Sequence, residues 1–368
     1  MTGSGPVGVA VVGAGVISDA YLKNLTAFAD VNVLGIADID VPRAKAAAEK
    51  YGVPSSGDVD TVLANPDVEL VVNLTIPAAH VSVATAAIKA GKHIYGEKPL
   101  TLERDAGQSL LEQAAAAGLR IGNAPDTFLG AGLQSTQRLI ASGAIGEPLS
   151  ALTAMQTPGP ESWHPSPEFL FQYGAGPLWD IGPYYLTSLV QMFGPVSRVA
   201  AAGRKGKAER VIGSGPKAGT KFAVEVPTHT TALIEFEAGQ VSTTVLSFDS
   251  PLQRHGFVEI TGSEATLRAP DPNNFDGVIR IRKPGADDWE EVQSEGTTVG
   301  RGLGVLEMAR ALRSGAPHRA SGELAFHVVD AMNSIGESGE RGEFVTVASS
   351  CASPEPLPID WDPAAATL

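Results

Sequence analysis

The residue best placed for chemistry in this 368-residue sequence is Lys98, which stands in Glu97-Lys98-Pro99 directly after the short apolar run 93–96. A lysine beside acidic groups can hold a hydroxyl oxygen and stabilise the charge that develops on it. The alternative is a solvated charge at a strand end, which is the usual fate of a lysine. Because ligands of α/β proteins lie at the carboxyl ends of parallel strands, we predict that Lys98 is catalytic.

A glycine turn near the N-terminus predicts a phosphate-binding site. The strand-like run 7–12 leads into Gly13-Ala14-Gly15-Val16-Ile17-Ser18. Gly13 permits a tight turn, and Gly15 lets the backbone approach a pyrophosphate that meets the N-terminus of the following helix. Ser18 takes the place of the usual third glycine and is still small enough to pack against a sheet.

An acidic residue downstream of the glycine turn makes dinucleotide binding the predicted function of this segment. Asp38 stands twenty residues past Ser18, at the end of the strand-like run 33–37. A carboxylate at this point accepts hydrogen bonds from both adenine-ribose hydroxyls and repels a 2′-phosphate, so we predict NAD as the cofactor. The alternative is a plain strand-to-helix turn in which Asp38 or Asp40 caps the next helix.

A second loop on the same predicted edge follows the apolar run 69–75. Thr75 could contact the cofactor through its backbone or hydroxyl, and Pro77 could pack by the nicotinamide, although both could simply start a helix. His80, one turn further, is open between a cofactor contact and a packed helix histidine. The complete set of predicted cofactor contacts is Gly13, Gly15, Val16, Ile17, Asp38, Thr75, Ile76, Pro77, His80, Glu97 and Lys98.

The apolar pattern of the first half must position these residues. It alternates between short β-rich runs and longer helical stretches, which predicts parallel strands joined by right-handed crossover helices. Beyond 7–12, the predicted strands are 31–38, 69–75, 93–96 and 119–122, and the predicted helices are 17–28, 42–51, 79–90 and 102–117. We therefore expect residues 1–124 to form a doubly wound parallel sheet, a Rossmann domain that binds NAD.

The pattern changes after about residue 123 and predicts an α+β domain over 125–350. Period-two alternation between about 196 and 292 predicts a mainly antiparallel open sheet. The predicted helices are 133–142, 182–193, 304–313 and 322–336, and the predicted strands are 230–237, 240–248, 257–261, 265–269 and 278–282. We expect the tail 351–368, which is rich in proline and alanine, to lie on the surface.

Composition and charge exclude several kinds of partner. The net charge of -14 argues against nucleic acid, since neutralising phosphates requires clustered lysine and arginine. The longest apolar stretch, 68–90, is interrupted by charged and polar residues, so we expect no membrane span. The N-terminus does not resemble a signal peptide and the single cysteine fits a reducing compartment, so we expect a cytoplasmic protein. The histidines beyond residue 200 lack metal-ligand spacing, and we expect no metal.

The combined motifs resemble the glucose–fructose oxidoreductase / inositol dehydrogenase / rhizopine catabolism protein (Gfo/Idh/MocA) family over essentially the whole chain. The segments that carry the resemblance are 13–18, Asp38, 75–77, 90–93, 97–99 and 174–184. The resemblance implies that the Glu-Lys-Pro element carries the catalytic lysine, commonly with a cis bond before the proline. It leaves the substrate open.

One residue departs from the family pattern. Residues 174–184 resemble a glycine-rich loop followed by Asp-x-Gly-x-His, but Tyr184 replaces the histidine while Asp180 is kept. Their spacing of four at a helix start would let both face one cleft. Some members that act on sugars and diols have tyrosine here, which implies that Asp180 and Tyr184 complete an acid–base set with Lys98. Tyr184 could instead be a wall that only binds substrate, and Tyr185 is a rival that points about 100° away on an ideal helix.

Three further residues are candidates for substrate contact. Trp163 and His164 lie in the proline-rich loop 157–167, where the family often has Trp-Arg, and an aromatic ring beside a donor suits stacking on a sugar. Asp126 follows the last predicted strand of the first half and could add a polar contact. Packing within loops is an equally open interpretation of all three.

The residues and the resemblance together imply an NAD(H)-dependent oxidoreductase that transfers hydride between nicotinamide and a carbinol carbon of a sugar, inositol or other polyol. Two alternatives stand on the same fold, a non-catalytic NAD-sensing regulator and a glycosidase that uses NAD transiently. We also expect a homodimer or homotetramer, because the sheet of the second half has more alternating strands than the nearby helices can cover.

Overall fold

The computed structural model describes residues 4–368, whose contacts divide into two compact units. The first unit contains the chain up to Gly130 together with Gly296–Val329 and Pro354–Leu368, and the second contains Ala131–Glu295 and Asp330–Ser353. These units differ from the consecutive segments 1–124, 125–350 and 351–368 that the sequence predicted. Periodicity identifies a helix but does not show which core the helix packs against, so the return of the chain to the first unit was not foreseen.

The core of the first unit is a six-stranded parallel sheet. Its strands are β1 (Val7–Val12), β2 (Val31–Ala37), β3 (Ser56–Gly57), β4 (Leu70–Asn73), β5 (His93–Gly96) and β6 (Ile121–Asn123). The helices that connect them are α1 (Val16–Leu25), α2 (Val41–Tyr51), α3 (Val59–Leu63), α4 (Pro77–Lys89) and α5 (Arg104–Ala116). The strand order β3-β2-β1-β4-β5-β6, with every pair parallel, confirms the doubly wound sheet.

Burial explains why the central strands read as continuous apolar runs. All six residues of β1 and all four of β4 are buried, as expected where helices cover both faces of a parallel sheet. The short β3 and the five-residue α3 were not predicted, because two and five residues are too few to show a period.

The second unit is organised around a nine-stranded sheet. Its helices up to residue 193 are α6 (Ala131–Ala141), α7 (Gly176–Asp180) and α8 (Gly182–Phe193). The strands up to residue 292 are β7 (Pro148–Gln156), β8 (Val196–Arg204), β9 (Glu209–Val211), β10 (Lys221–Ala223), β11 (His229–Phe236), β12 (Val241–Ser247), β13 (His255–Gly262), β14 (Thr266–Ala269), β15 (Ile279–Arg282) and β16 (Glu290–Val292). The strands β9 and β10 form a separate two-stranded antiparallel sheet.

Three elements complete the chain: α9 (Leu303–Ser314), α10 (Gly322–Arg341) and β17 (Val345–Thr346). The large sheet has the order β16-β15-β14-β13-β7-β12-β11-β8-β17, and every pair is antiparallel except β7 with β12. The expected mainly antiparallel sheet and its β11–β12 hairpin are therefore confirmed. The longest helix has 20 residues, and within residues 4–368 no helix is both long and apolar enough to cross a bilayer.

The tail is fixed by polar contacts within the first unit. The buried Asp30 carboxylate accepts hydrogen bonds from the Thr367 N–H at 2.8 Å, the Thr367 hydroxyl at 2.7 Å and the Leu368 N–H at 3.0 Å. Arg310 donates to Asp30 at 2.7 Å and to the carbonyl of Ala365 at 2.8 Å. The last residues are thus part of the first unit. Because polar contacts hold them, the hydrophobic periodicity of the sequence could not predict this anchoring.

Candidate active site

The glycine turn between β1 and α1 has the shape that a phosphate group requires. Gly13 has φ 102°, and a Cβ there would lie 2.7 Å from the carbonyl carbon of Leu74, so only glycine fits. A Cβ at Gly15 would meet nothing within 4 Å, and Gly15 precedes α1 with no side-chain cap on the helix. No side chain therefore competes for the start of α1 or fills the space at Gly15, which suits a pyrophosphate.

Asp38 lies at the end of β2, beside this turn. Its Oδ2 accepts the Ala14 N–H at 2.7 Å, and its Oδ1 accepts the Asp40 N–H at 2.8 Å. The carboxylate is therefore held by the backbone, and each oxygen keeps lone pairs for further donors such as ribose hydroxyls. The cap of α2 is Asp40, whose Oδ1 accepts the Arg43 N–H at 3.3 Å, so Asp38 is not needed as a helix cap.

Exposed apolar residues mark the same edge of the sheet. Val16 is 94% exposed at the start of α1, Ile39 is fully exposed after β2, and Ile76 is 67% exposed before α4. Three large apolar side chains left open at the carboxyl ends of parallel strands suit the flat faces of a dinucleotide. Ile39 was not singled out from the sequence, although an isoleucine directly after Asp38, the acid predicted to bind the ribose, could have been noticed.

A cation also lies near Asp38. The half-exposed Arg43 guanidinium is 3.8 Å from Asp38 Oδ2 and 3.0 Å from Asp40 Oδ2. Arg43 stands five residues after Asp38 in the sequence, and the first turn of α2 brings its side chain back beside the acid.

The loop after β4 is held by Asn73. Asn73 Oδ1 accepts the Thr75 hydroxyl at 2.6 Å and the Thr75 N–H at 3.3 Å. Pro77 begins α4, and no side chain caps this helix. His80 is 3% exposed and its ring lies between two backbone carbonyl oxygens. Of the two alternatives left open for His80, this environment fits the packed helix histidine and not the cofactor contact.

The lysine-bearing segment follows β5. Lys98 is half-buried, and its N–H donates to Glu97 Oε2 at 3.0 Å. The other carboxylate oxygen, Glu97 Oε1, accepts the Tyr21 hydroxyl at 2.7 Å. Glu97 is buried and both its oxygens are engaged, so it supports the Lys98 backbone rather than offering a free group to a cofactor. The Lys98–Pro99 peptide bond is cis, as the resemblance implies.

Asp126 has a different environment from the one expected of a substrate contact. It is fully buried, and its Oδ2 accepts the N–H groups of Gly302 at 2.9 Å and Gly304 at 3.2 Å. Burial raises the pKa of Asp126, and the Arg301 guanidinium at 3.5 Å opposes that rise. Asp126 therefore fixes the start of α9 through Oδ2, and its complete burial differs from the environment of a substrate contact.

In the second unit, Asp180 and Tyr184 stand on two successive helices. Asp180 ends α7, and Tyr184 lies in the first turn of α8. The predicted helix 182–193 has the bounds of α8, and the short α7 before it was not predicted. The two helices are separated at Ile181, and Pro183, which lacks an N–H, stands just after the break. Asp180 is half-buried and Tyr184 is buried.

The rival Tyr185 has a packing role. Its side chain is fully buried, and its hydroxyl donates to Asp271 Oδ1 at 3.1 Å. Burial, with the nearby Asp271 carboxylate, raises the pKa of Tyr185 well above the ordinary tyrosine value. Tyr185 is therefore a poor proton donor or acceptor, and Tyr184 stays the better candidate.

The proline-rich loop carries an exposed aromatic group. Trp163 is 66% exposed, and the rings of Trp163 and His164 have centroids 5.5 Å apart in an edge-to-face arrangement. His164 makes the same kind of contact with Phe169, and its Nδ1 accepts the Ser166 N–H at 3.0 Å. An open tryptophan face beside a fixed histidine suits stacking on a sugar ring.

A buried arginine that the sequence analysis missed anchors this loop. The Arg210 side chain pairs with the carboxylates of Glu161 and Asp249 and donates to the carbonyl oxygens of Pro158 at 2.9 Å and Phe248 at 2.8 Å. An arginine with two acidic partners far away in sequence has no local pattern, so only the fold reveals it.

The structure thus brings the predicted cofactor residues and Lys98 to the carboxyl edge of one parallel sheet, and it groups Asp180, Tyr184, Trp163 and His164 in the second unit. Across the described range 4–368, no three histidine, cysteine or acidic side chains come together as a metal site would require.

Comparison with known proteins gives the family. The family model described as "Oxidoreductase family, NAD-binding Rossmann fold" matches residues 7–124, and the "GFO/IDH/MocA C-terminal domain" matches residues 133–268. An uncharacterized oxidoreductase of Rhizobium meliloti, ORF334, is 27% identical over 348 residues, which are 92% of this chain and 98% of that protein.

Two named enzymes are also similar. Inositol 2-dehydrogenase of Salmonella typhimurium is 32% identical over 145 residues, which are 38% of this chain and 43% of that enzyme. The solved structure of levoglucosan dehydrogenase in complex with NADH and L-sorbose has a TM-score of 0.81 at 20% identity, covers 94% of this chain and 100% of that one, and shows the shared fold. The chain belongs to the GFO/IDH/MocA family and is an NAD-binding oxidoreductase.

Proposed function

We propose that this oxidoreductase acts on a carbinol carbon of a sugar, inositol or related polyol, with Lys98 as the residue that holds the reacting oxygen. The observation that carries the proposal is the placement of Lys98 directly after β5, on the same sheet edge as the glycine turn and Asp38. The segment that bears Lys98 is fixed through Glu97, so the lysine is attached to a rigid part of the sheet.

Each group of residues has a proposed task in this reaction. NAD, when bound, supplies a hydride acceptor at C4 of its nicotinamide. Gly15 and the N-terminus of α1 hold the pyrophosphate, and Asp38 accepts the adenine-ribose hydroxyls. Lys98 holds the substrate oxygen and takes part in moving its proton, so that loss of hydride from carbon and of the proton from oxygen gives a carbonyl product.

Asp180 and Tyr184 complete the proposed acid–base set, and Trp163 with His164 is proposed to recognise the substrate. An exposed tryptophan offers a face to the C–H side of a sugar, and a neighbouring imidazole offers a hydrogen bond to a hydroxyl. The names of the similar enzymes, inositol 2-dehydrogenase and levoglucosan dehydrogenase, support a polyol or sugar derivative as the substrate class.

A substrate screen tests this function. The purified protein is incubated with NAD and single sugars, sugar acids and inositols, and formation of NADH is followed by its absorbance, with Lys98→Met as a matched negative control. NADH formation with one class of polyol supports the proposal. Cleavage of glycosides that depends on NAD but gives no net NADH would show the glycosidase alternative, and tight NAD binding without turnover would favour the regulator.

We further propose self-association through the open face of the nine-stranded sheet. Leu152 on β7 and Leu233 on β11 both pair with Thr243 on β12, so the three side chains form one row, and both leucines are exposed. Exposed leucines in the middle of a sheet favour burial against another copy. Light scattering at micromolar protein should give a dimer or tetramer that Leu152→Glu weakens, and a monomeric wild type contradicts this part.

A further inference from the structure

His80 connects the two segments that carry the proposed cofactor and catalytic residues. Its Nδ1 lies 2.7 Å from the carbonyl oxygen of Pro99, and its Nε2 lies 3.0 Å from the carbonyl oxygen of Thr75. A carbonyl oxygen can only accept, so each ring nitrogen that bonds one must donate, and the two bonds together require an N–H on both Nδ1 and Nε2. Because the side chain is buried on α4, water does not compete for these bonds.

The first of these carbonyls belongs to the residue directly after Lys98. Pro99 has no N–H, so its carbonyl is the only main-chain polar group through which this residue can be held. On the other side, the N–H of Lys98 bonds Glu97 Oε2 at 3.0 Å. The backbone of Lys98 is therefore held on both sides. Its own N–H is bonded to the Glu97 side chain, and the carbonyl of the next residue, Pro99, is bonded to the His80 ring.

The second carbonyl belongs to the loop that presents Ile76. The Thr75 hydroxyl bonds Asn73 Oδ1 at 2.6 Å, and Asn73 Nδ2 donates to the main-chain carbonyl of His80 at 3.1 Å. Glu97 N–H donates to the carbonyl of Asn73 at 2.9 Å. Asn73, Thr75 and His80 thus form one set of interior hydrogen bonds that continues into the segment bearing Lys98.

We propose that His80 is a positioning residue, which fixes the Lys98 backbone through Pro99 and the cofactor loop 75–77 through Thr75. The proposal rests on the function proposed above, in which Lys98 holds the reacting oxygen. One imidazole then sets the place of the lysine and of the cofactor loop together. His80 acts only through these two carbonyls and contacts no reacting atom.

Amide side chains can separate the two contacts. The amide nitrogen of asparagine lies close to the place of Nδ1, and that of glutamine lies close to the place of Nε2. His80→Asn therefore keeps a donor for Pro99, His80→Gln keeps a donor for Thr75, and His80→Ala keeps neither. We expect His80→Ala to lower kcat on the order of 10-fold, since small displacements of catalytic groups are costly, and to weaken NADH binding several-fold.

The amide variants should then divide these losses. His80→Asn should recover most of kcat, and His80→Gln should recover most of the NADH affinity, measured by cofactor fluorescence without turnover. Substrate KM should change little in all three. The matched control is His318→Ala, which removes a histidine of the same unit whose Nε2 lies 2.9 Å from the carbonyl of Ile121. This control should lower the thermal midpoint and leave kcat per folded molecule unchanged.

A double variant links the effect to the lysine. If His80 acts through Lys98, His80→Ala should cost little further turnover in a Lys98→Met background. Additive losses, wild-type kcat in His80→Ala, or identical behaviour of the asparagine and glutamine variants would overturn the positioning role alone. Near wild-type turnover of Lys98→Met by itself would overturn the proposed function and the positioning role with it.

Discussion

The hydroxyl of Tyr21 on α1 donates a 2.7 Å hydrogen bond to Oε1 of Glu97, the residue that precedes Lys98. Burial, and then the negative charge of Glu97, raise the pKa of Tyr21 well above the ordinary tyrosine value, so the phenol keeps its proton and stays a donor. The helix whose N-terminus is the proposed pyrophosphate site is thereby joined to the segment that bears Lys98, the proposed catalytic lysine. The proposed cofactor site and Lys98 share one hydrogen-bonded framework.

Tyr21→Phe tests this framework. The change keeps the ring and leaves Glu97 Oε1 buried without its donor, which should cost about 1.5–3 kcal/mol of stability. We expect a lower thermal midpoint together with a lower kcat, because the support of the Lys98 backbone is loosened. The control is Tyr51→Phe, which removes an exposed hydroxyl bonded to Asp19 at 2.9 Å. Equal effects of the two changes on kcat would show that the Tyr21–Glu97 bond has no special role.

Asp38→Ser should change the choice between the two dinucleotides. The carboxylate repels a 2′-phosphate, and its removal leaves the Arg43 guanidinium, now 3.8 Å from Asp38 Oδ2, to attract one. The ratio of kcat/KM for NAD to that for NADP should therefore fall by roughly tenfold or more, a loss of about 1.4 kcal/mol in discrimination. Asp40→Ser, two residues further along the chain, is the matched control. An unchanged ratio in Asp38→Ser would contradict the assignment of Asp38.

Tyr184 is tested by two substitutions that separate chemistry from binding. Tyr184→Phe keeps the ring and removes the proton, so kcat should collapse while substrate still binds if Tyr184 is an acid–base group. Tyr184→His should keep appreciable activity and move the pH optimum downward, because histidine titrates near ~6.5 and tyrosine near ~10. Tyr185→Phe serves as the packing control, since its hydroxyl bonds Asp271. If Tyr184→Phe raises only KM, the tyrosine contacts the substrate but does not transfer its proton.

The sequence predicted the parallel sheet well, but it missed two strands of the other sheet, β7 and the two-residue β17. In β1 the run Val7–Val12 is apolar throughout, so its burial could be read directly. In contrast β7, Pro148–Gln156, pairs with both β12 and β13 at the centre of the large sheet and was not predicted. Its alanine, serine, leucine and methionine residues have little β propensity, and pairing with neighbours from distant sequence decides its conformation.

The candidate site shows the same limit. Gly13 and Asp38 were predictable because a turn and a ribose acid have fixed spacing within one strand–helix–strand unit. The environments of Asp126 and His80 could not be predicted, because the groups that hydrogen-bond their side chains belong to the backbone. The N–H groups of Gly302 and Gly304 and the carbonyls of Thr75 and Pro99 leave no trace in residue types. From the sequence alone, a polar residue near a predicted site can therefore be mistaken for a ligand contact, although its side chain in fact holds the backbone around the site.

The proposed role of Lys98 is tested by the turnover of Lys98→Met, measured beside the affinity of this variant for NADH. Methionine keeps the length of the side chain and removes its charge and proton. The control is Lys89→Met, an exposed lysine at the end of α4. We predict that Lys98→Met binds NADH nearly as the wild type does and loses turnover by ~10² or more, as expected for a positioned proton-transfer group. Turnover close to that of Lys89→Met and the wild type would show that Lys98 does not hold the reacting oxygen or move its proton.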